Sequence, residues 1–184
     1  INKVGYEFEY INNVNEIKNF KKIILPGVGS FVEAKRAIKK KGFDDGLKEF
    51  IKKEENSLLG ICLGMQLLLD KSLEFFETSG LSFIKGDVIK ISNAQLCIPN
   101  IGWCEVETKK ESLLLKNFKK KELCFYFAHS FFCNVSEKKN VIANLKIAQD
   151  VNAVIEKNNV YGCQFHPEKS QLAGLKFLKN FCSL

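Results

Sequence analysis

Apolar residues recur along this chain at two periods, and each change of period marks an element. Gly5 to Ile11 (GYEFEYI) alternates apolar and polar side chains, which predicts a strand. Lys22 to Leu25 (KIIL), closed by Pro26, predicts a second, buried strand. From Phe31 the spacing lengthens. Phe31, Ala34, Ala37 and Ile38, then Leu47, Phe50 and Ile51, fall on helical faces, with Gly42 dividing two helices. Leu58 to Cys62 predicts a strand that passes through a glycine-flanked turn into a helix running to Leu69. Strand, sharp turn and helix in succession predict parallel pairing, because a crossover must carry the chain back along the sheet.

The second half reads differently. Ser82–Ile91, Gly102–Thr108, Leu123–Ser130, Val141–Gln149, Ala153–Lys157 and Val160–Phe165 predict successive strands. Turn-forming clusters such as Ser92-Asn93 and Lys157-Asn158-Asn159 lie between them. Ser170 to Phe181 returns to a helical period at Leu172, Leu175, Leu178 and Phe181. The expected fold class is α/β: a mixed, mainly parallel central sheet flanked by helices, strand-rich in its second half and closed by a helix. With 184 residues and no repeat, linker or low-complexity tract, residues 1–184 read as one domain.

Composition narrows the function classes. A chain that is 46% hydrophobic, with 16 Phe, supplies a core and is not disordered. Its net charge is +7, yet Arg36 is the one arginine among 28 basic residues. Base-edge and bidentate phosphate recognition favours the guanidinium fork, so a lysine coat argues for a solvated surface rather than a nucleic-acid partner. The seven cysteines are odd in number, lack a CxxC pair and sit mostly in apolar runs such as LCFYF and YGCQF. That pattern predicts free thiols in a reducing cytoplasm, not a disulfide frame or a zinc site. No apolar run reaches the roughly 18 residues of a membrane span, and no secretory signal is recognisable. The sequence opens at Ile1 and its single methionine is Met65, so its first residues read as the interior of something longer.

The sharpest local signal is Gly60-Ile61-Cys62-Leu63-Gly64-Met65-Gln66. A cysteine between two glycines, where a strand gives way to a helix, matches the nucleophile-elbow pattern with sulfur in place of a hydroxyl. The turn forces an unusual backbone angle on Cys62, and Gly60 and Gly64 remove side chains that would strike neighbouring backbone. The following helix points its positive end at the sulfur, which favours the thiolate. A buried cysteine with incidental glycines is the bland alternative.

A thiolate needs a base, and the chain offers only His129 and His166. His166 lies in Gln164-Phe165-His166-Pro167-Glu168, at a strand end. Residues two apart share one side of an extended chain, so Glu168 is placed to fix the His166 ring as the third member of a triad. Pro167 stiffens the link and keeps a helix from starting there. A structural histidine is the competing reading, and His129, in Tyr126-Phe127-Ala128-His129-Ser130, is the second candidate base. Pro26-Gly27-Val28-Gly29-Ser30-Phe31 is another strand-to-helix turn. Its small residues let backbone N–H groups turn toward a developing oxyanion, with the Leu63 N–H as a second donor. A phosphate cradle lacking the usual lysine, or a plain tight turn, are the alternatives for this loop.

Taken in order and over essentially the whole chain, PGVGSF, GICLGMQLL, SGLSFIKG, PNIGW, YFAHSF and GCQFHPEKSQ resemble class I (triad) glutamine amidotransferases. More narrowly, they resemble the glutaminase subunit of imidazole glycerol phosphate synthase. The resemblance implies a flavodoxin-like class I amidotransferase fold and an enzyme whose substrate is L-glutamine. It implies that Cys62 attacks the side-chain amide to give a glutamyl thioester and ammonia, that His166 acts as base and acid, and that Glu168 orients it. Gly27, Val28, Gly29 and Leu63 fall at the family's oxyanion and substrate contacts. Gln66, with backbone groups near Ser130 and Phe131, falls where the family holds glutamine's amino-acid end. Asn100, Trp103, Tyr126 and Lys169 fall at the interface with a cyclase subunit, a separate (β/α)8 barrel that forms a heterodimer with the glutaminase. Ammonia channelled into that barrel yields imidazole glycerol phosphate and aminoimidazole carboxamide ribotide in histidine biosynthesis. No cofactor and no metal are implied, nor any nucleic acid or membrane.

The sequence departs from the family pattern in places. The family's first strand and helix, with a DYGxGN turn at the synthase interface, have no counterpart here, which predicts an open sheet edge and a gap in the core. Asn100 and Cys104 stand where the interface motif has His and Asn, and Phe131 stands where a tyrosine is usual. The substituted motif leaves a second reading, a paralogous glutaminase subunit feeding a cyclase-like partner that amidates a bacterial surface or flagellar sugar. A non-catalytic regulatory relative is a third, against which the intact Cys62, His166 and Glu168 argue.

Overall fold

The computed structural model describes residues 1–92, 97–146, 148 and 151–184. Strand β1 (Lys22–Gly27) turns into α1 (Phe31–Lys40), and α2 (Phe43–Ile51) follows. Gly42 between them takes φ of +71°, a left-handed conformation open to glycine at little cost. Strand β2 (Ser57–Cys62) leads directly into α3 (Leu63–Leu67). Then come β3 (Lys71–Ser72), β4 (Thr78–Ser79), β5 (Gly86–Lys90) and β6 (Asn100–Thr108). They are followed by β7 (Cys124–His129), β8 (Phe131–Val135), β9 (Val141–Leu145), β10 (Asn152–Lys157) and β11 (Val160–Cys163). Helix α4 (Gln171–Cys182) closes the chain.

The strands form a seven-stranded sheet in the order β1-β2-β11-β10-β9-β6-β7 and a four-stranded sheet in the order β4-β3-β5-β8. The large sheet is mixed. β2 pairs parallel with β1 and with β11, whereas the ladder from β11 through β10, β9, β6 and β7 is antiparallel. Parallel pairing in this sheet thus involves three strands, fewer than the front half of the sequence suggests, and in the small sheet it joins β3 to β5. The back half pairs antiparallel because short turns join neighbours directly: β10 and β11 are linked by Asn158-Asn159, with Asn158 at φ of +54°.

β2 is buried along its whole length, as a strand paired on both edges and covered on both faces must be. Leu58 and Leu59 point to its opposite faces and enter two separate cores. One core joins Leu58 to Phe31, Phe50 and Met65. The other is aromatic: the Phe125 and Phe165 rings stack at 3.9 Å, and Phe177 of α4 meets Phe165 edge-on at 5.0 Å. This cluster clamps α4 and the segment after β11 onto β7, which fixes the position of His166.

Several sequence expectations are corrected. Residues 6–12 form no strand, and their alternation carries Tyr6, Phe8 and Tyr10 outward. They border a cavity of about 700 Å³, lined by Ile17, Ile23, Ile38 and Leu47, beside β1, the outer strand of the sheet. Helix α3 ends at Leu67 instead of Leu69 because the Leu67, Leu68 and Leu69 carbonyls are drawn away to accept from the N–H groups of Leu81, Phe83 and Ser82. The buried stripe of α4 is Gly174, Phe177, Leu178 and Phe181, while Leu172 is exposed. Strands expected over 82–91 and 160–165 are confined to Gly86–Lys90 and Val160–Cys163. β8, which the pattern missed, directly follows β7. Asn93 of the expected Ser92-Asn93 turn and Gln149 of the expected 141–149 strand lie outside the described residues.

Candidate active site

Cys62 is the last residue of β2, nearly buried, with φ of +53° and ψ of −108°. A β-carbon is strained at such an angle, and it persists only where the surroundings impose it. They do so here through glycine. A Cβ on Gly64 would lie 1.7 Å from the Leu25 carbonyl oxygen, and one on Gly60 would lie 2.6 Å from the Gly64 backbone. The two glycines let α3 rise directly from the strand against β1. The parallel register sets Gly27 opposite Cys62. The Gly27-Val28-Gly29 turn therefore stands beside the sulfur, with Val28 exposed, Gly29 at φ of +91°, and Leu63 packed under Gly27. Glu74, which the sequence reading did not single out, accepts the Phe31 N–H at 2.8 Å and so holds the far end of this turn.

His166 follows β11 and is held by its backbone. Its N–H donates to the Tyr126 carbonyl at 2.9 Å. Ser170 Oγ donates to the His166 carbonyl at 2.6 Å and accepts the Tyr126 N–H at 2.9 Å, tying β7 to the turn. Gly174 allows α4 to sit close below, since a Cβ there would lie 1.8 Å from the Pro167 oxygen. The ring is thereby set between two partners. His166 Nδ1 donates to Glu168 Oε1 at 2.8 Å, and Cys62 is the other group that acts on its charge.

These contacts set the charges. The hydrogen bond with Cys62, then that with Glu168, raises the His166 pKa to about 9 against the opposing effect of burial. For Glu168, burial raises the pKa, but the His166 hydrogen bond, its own backbone N–H and the charges of His166 and Lys169 bring it below the usual carboxylate range. An imidazolium held between sulfur and carboxylate is the arrangement those bonds favour. Cys133 and Cys163, both buried, have thiols pushed well up, first by burial and then by the charge at Cys62.

Gln66 lies one helical turn beyond Cys62 and is buried. Its Nε2 donates to the Phe131 carbonyl at 2.9 Å and to Gln164 Oε1 at 3.3 Å. His129, the second candidate base, shares that carbonyl: its Nδ1 donates to Phe131 O at 2.9 Å, and its Nε2 faces the Asn100 Nδ2 donor at 3.2 Å. Burial lowers the His129 pKa to about 4, opposed by the Phe131 bond and aided by the charge of His166. His129 is therefore neutral at pH 7, with both ring nitrogens engaged. Ser130, beside it, accepts the Ile91 N–H through its carbonyl at 2.9 Å.

The four expected interface residues divide. Trp103 meets Tyr126 edge-on at 6.2 Å, and Lys169 Nζ lies 5.6 Å from the centre of the Tyr126 ring, so these three form one surface group. Asn100 instead points inward to His129 and accepts from Cys104 Sγ at 3.6 Å. Ile98 and Ile101, not singled out from the sequence, are exposed on the stretch of chain that leads to Trp103.

A strand-to-helix cysteine elbow on a mixed sheet, with a His–Glu pair just beyond the end of the neighbouring parallel strand, defines a class. The family model of the class I glutamine amidotransferases matches residues 1–183, and the chain belongs to that family. Among its relatives, it is 44% identical over 178 residues to imidazole glycerol phosphate synthase subunit HisH of Caldanaerobacter subterraneus, covering 97% of this chain and 86% of that one. It is 41% identical over 192 residues to subunit HisH 1 of Campylobacter jejuni, covering 100% and 94%. A crystal structure of a glutamine amidotransferase matches with a TM-score of 0.71 at 16% identity, over 98% of this chain and 89% of that one, a likeness of fold. The fold is the flavodoxin-like one of the class I amidotransferases.

Proposed function

We propose that this chain is the glutaminase subunit of an imidazole glycerol phosphate synthase, hydrolysing L-glutamine and passing ammonia to a (β/α)8 cyclase subunit in histidine biosynthesis. The observation that carries the reading is the line Cys62–His166–Glu168, with a strained nucleophile at one end and a 2.8 Å carboxylate–imidazole hydrogen bond at the other. Similarity to HisH subunits over nearly the whole chain supports the pathway and the partner.

The chemistry follows from the geometry. His166 takes the Cys62 proton, and the sulfur attacks the side-chain carbonyl carbon of glutamine. A C–S bond forms while the carbonyl π pair moves to oxygen. Backbone N–H groups of Leu63 and of the Gly27-Val28-Gly29 turn receive that oxyanion. His166 gives its proton to the amide nitrogen, the C–N bond breaks, and ammonia leaves a glutamyl thioester on Cys62. Water then loses a proton to His166 and attacks the thioester, and the Cys62 thiolate departs from glutamate. Glu168 keeps the ring oriented throughout. Gln66 and the backbone near Ser130 and Phe131 hold the amino-acid end of the substrate.

The inward position of Asn100 bears on the sugar-pathway reading. That substitution lies against His129 inside the chain and not on the surface with Trp103, and we carry the histidine-pathway reading. Ammonia release should be measured for the chain alone and with the cyclase barrel plus its histidine-pathway ligand. Strong stimulation by barrel and ligand is expected. Activity indifferent to that ligand would contradict the pathway assignment.

A further inference from the structure

We infer that Gln164 is a positioning residue for the nucleophile, its side-chain amide holding the Cys62 sulfur through an N–H···S hydrogen bond whose direction is dictated from the Phe131 carbonyl. The inference rests on the reading of Cys62 as nucleophile and deepens it.

Gln164 follows β11, and the parallel register pairs Cys163 with Ile61, so Gln164 comes level with Cys62 on the adjacent strand. It is fully buried, and its backbone N–H is spent on the Ala153 carbonyl at 2.9 Å. A buried primary amide must place two donors and an acceptor inside the protein or lose their hydration uncompensated. The available partners leave no choice of polarity. The Phe131 carbonyl can only accept, so Gln66 turns its Nε2 toward it. The second proton on Gln66 Nε2 then meets Gln164 Oε1 at 3.3 Å. That contact requires Gln164 to present oxygen to Gln66, which leaves its Nε2 facing Cys62 Sγ at 3.7 Å. A flipped Gln164 would oppose two amide nitrogens and turn its oxygen on the sulfur.

The consequences reach both ends of the site. At sulfur, an amide donor stabilises negative charge and fixes the direction of the lone pairs. At Gln66, both Nε2 protons are committed, so only its Oε1 remains to accept from a substrate. Removing the Gln164 amide strips the donor from sulfur, while Gln66 keeps its bond to Phe131. Nucleophilicity should therefore suffer much more than glutamine binding.

The test uses Gln164→Met, which preserves volume and removes the N–H, with iodoacetamide as a probe that needs no glutamine site. The thiolate displaces iodide, forming the S–C bond as C–I breaks. Losing a hydrogen bond to a charged acceptor should slow Cys62 alkylation at pH 7 by roughly 10–100-fold. The same variant should lower kcat for ammonia release by a similar factor with KM changed less than about threefold. A purely structural role would move the unfolding midpoint and leave the alkylation rate of the folded protein untouched, and that result overturns the inference. Should Gln164→Met fail to fold, the wild-type protein decides. Its Gln164 side-chain amide signals in a 15N–1H spectrum are expected to shift when Cys62 is alkylated, and unmoved signals overturn the assignment. Because alkylation is independent of glutamine, wild type that alkylates but releases no ammonia even with the cyclase barrel and its ligand defeats the glutaminase reading without touching Gln164. Normal wild-type ammonia release with an unchanged alkylation rate in Gln164→Met defeats the Gln164 role alone.

Discussion

Gly64 lies so close beneath Leu25 that a β-carbon on it would sit 1.7 Å from the Leu25 carbonyl oxygen. The contact is with backbone, so no rotamer change relieves it. Gly64→Ala must push α3 away from β1 and carry the Cys62 elbow with it. A destabilisation of about 1–3 kcal/mol is expected from overpacking. Displacement of the nucleophile by about an ångström is expected to cut ammonia release about 100-fold. Urea denaturation and steady-state kinetics on one preparation check both.

The His166–Glu168 bond predicts an alkaline limit. The leaving amide nitrogen needs the imidazolium proton, and His166 holds that proton up to a pKa of about 9. Ammonia release should decline as pH rises through 9. Glu168→Gln replaces an anionic acceptor by a neutral one, so one of the two bonds that raise the His166 pKa is weakened. The falling limb should then move to lower pH, and a pH–rate profile from 7 to 10 reads the displacement. An alkaline limb identical in the variant would show that Glu168 does not govern His166.

His129 predicts an acid limit on stability rather than on chemistry. Its pKa falls from 6.5 in the unfolded chain to about 4 when buried, so the unfolded state binds more protons between these values. Stability from this group is fully present above pH 6.5 and is lost as pH falls through 4. Going from pH 7 to pH 4 should cost about 3 kcal/mol from His129 alone. His129→Gln, which cannot titrate, should flatten that part of the curve in chemical denaturation at several pH values.

Trp103, Tyr126 and Lys169 form a surface group on the proposed cyclase-facing side, flanked by exposed Ile98 and Ile101. Buried aromatic anchors dominate interface energetics, so Trp103→Ala should weaken binding to the cyclase barrel by about 30-fold or more. The iodoacetamide reactivity of Cys62 in the isolated chain should be unchanged, since the indole packs at the surface against the Tyr126 ring. Calorimetric titration with the barrel, beside an alkylation assay, separates the two effects.

Much of this site was legible in the sequence because its requirements are local. A cysteine between Gly60 and Gly64, and His166 two residues from Glu168, are short patterns whose physical reasons need few residues. Gly42 as a helix divider and Asn158-Asn159 as a turn were readable for the same reason. What escaped depends on long-range partners. Gly5–Ile11 alternates as a strand should, but alternation cannot say whether a neighbour is present to bond it. The α4 stripe holds at Leu178 and Phe181 but fails at its start, where Leu172 is exposed and Gly174, set against the Pro167 carbonyl, carries no hydrophobic signal. Asn100 looked like a surface residue within a motif, and only the β6–β7 register, which pairs it with His129, turns it inward. Gln164 stood inside a recognised motif, and its bond to Cys62 required the fold.

The central claim is that Cys62 forms a covalent bond to glutamine's side-chain carbon. Rapid acid quench of the chain turning over glutamine, followed by peptide mapping with mass spectrometry, tests it most directly. The account predicts a glutamyl thioester on the peptide containing Cys62 and none in Cys62→Ser. An adduct on another cysteine, or ammonia release that survives Cys62→Ala, would contradict it.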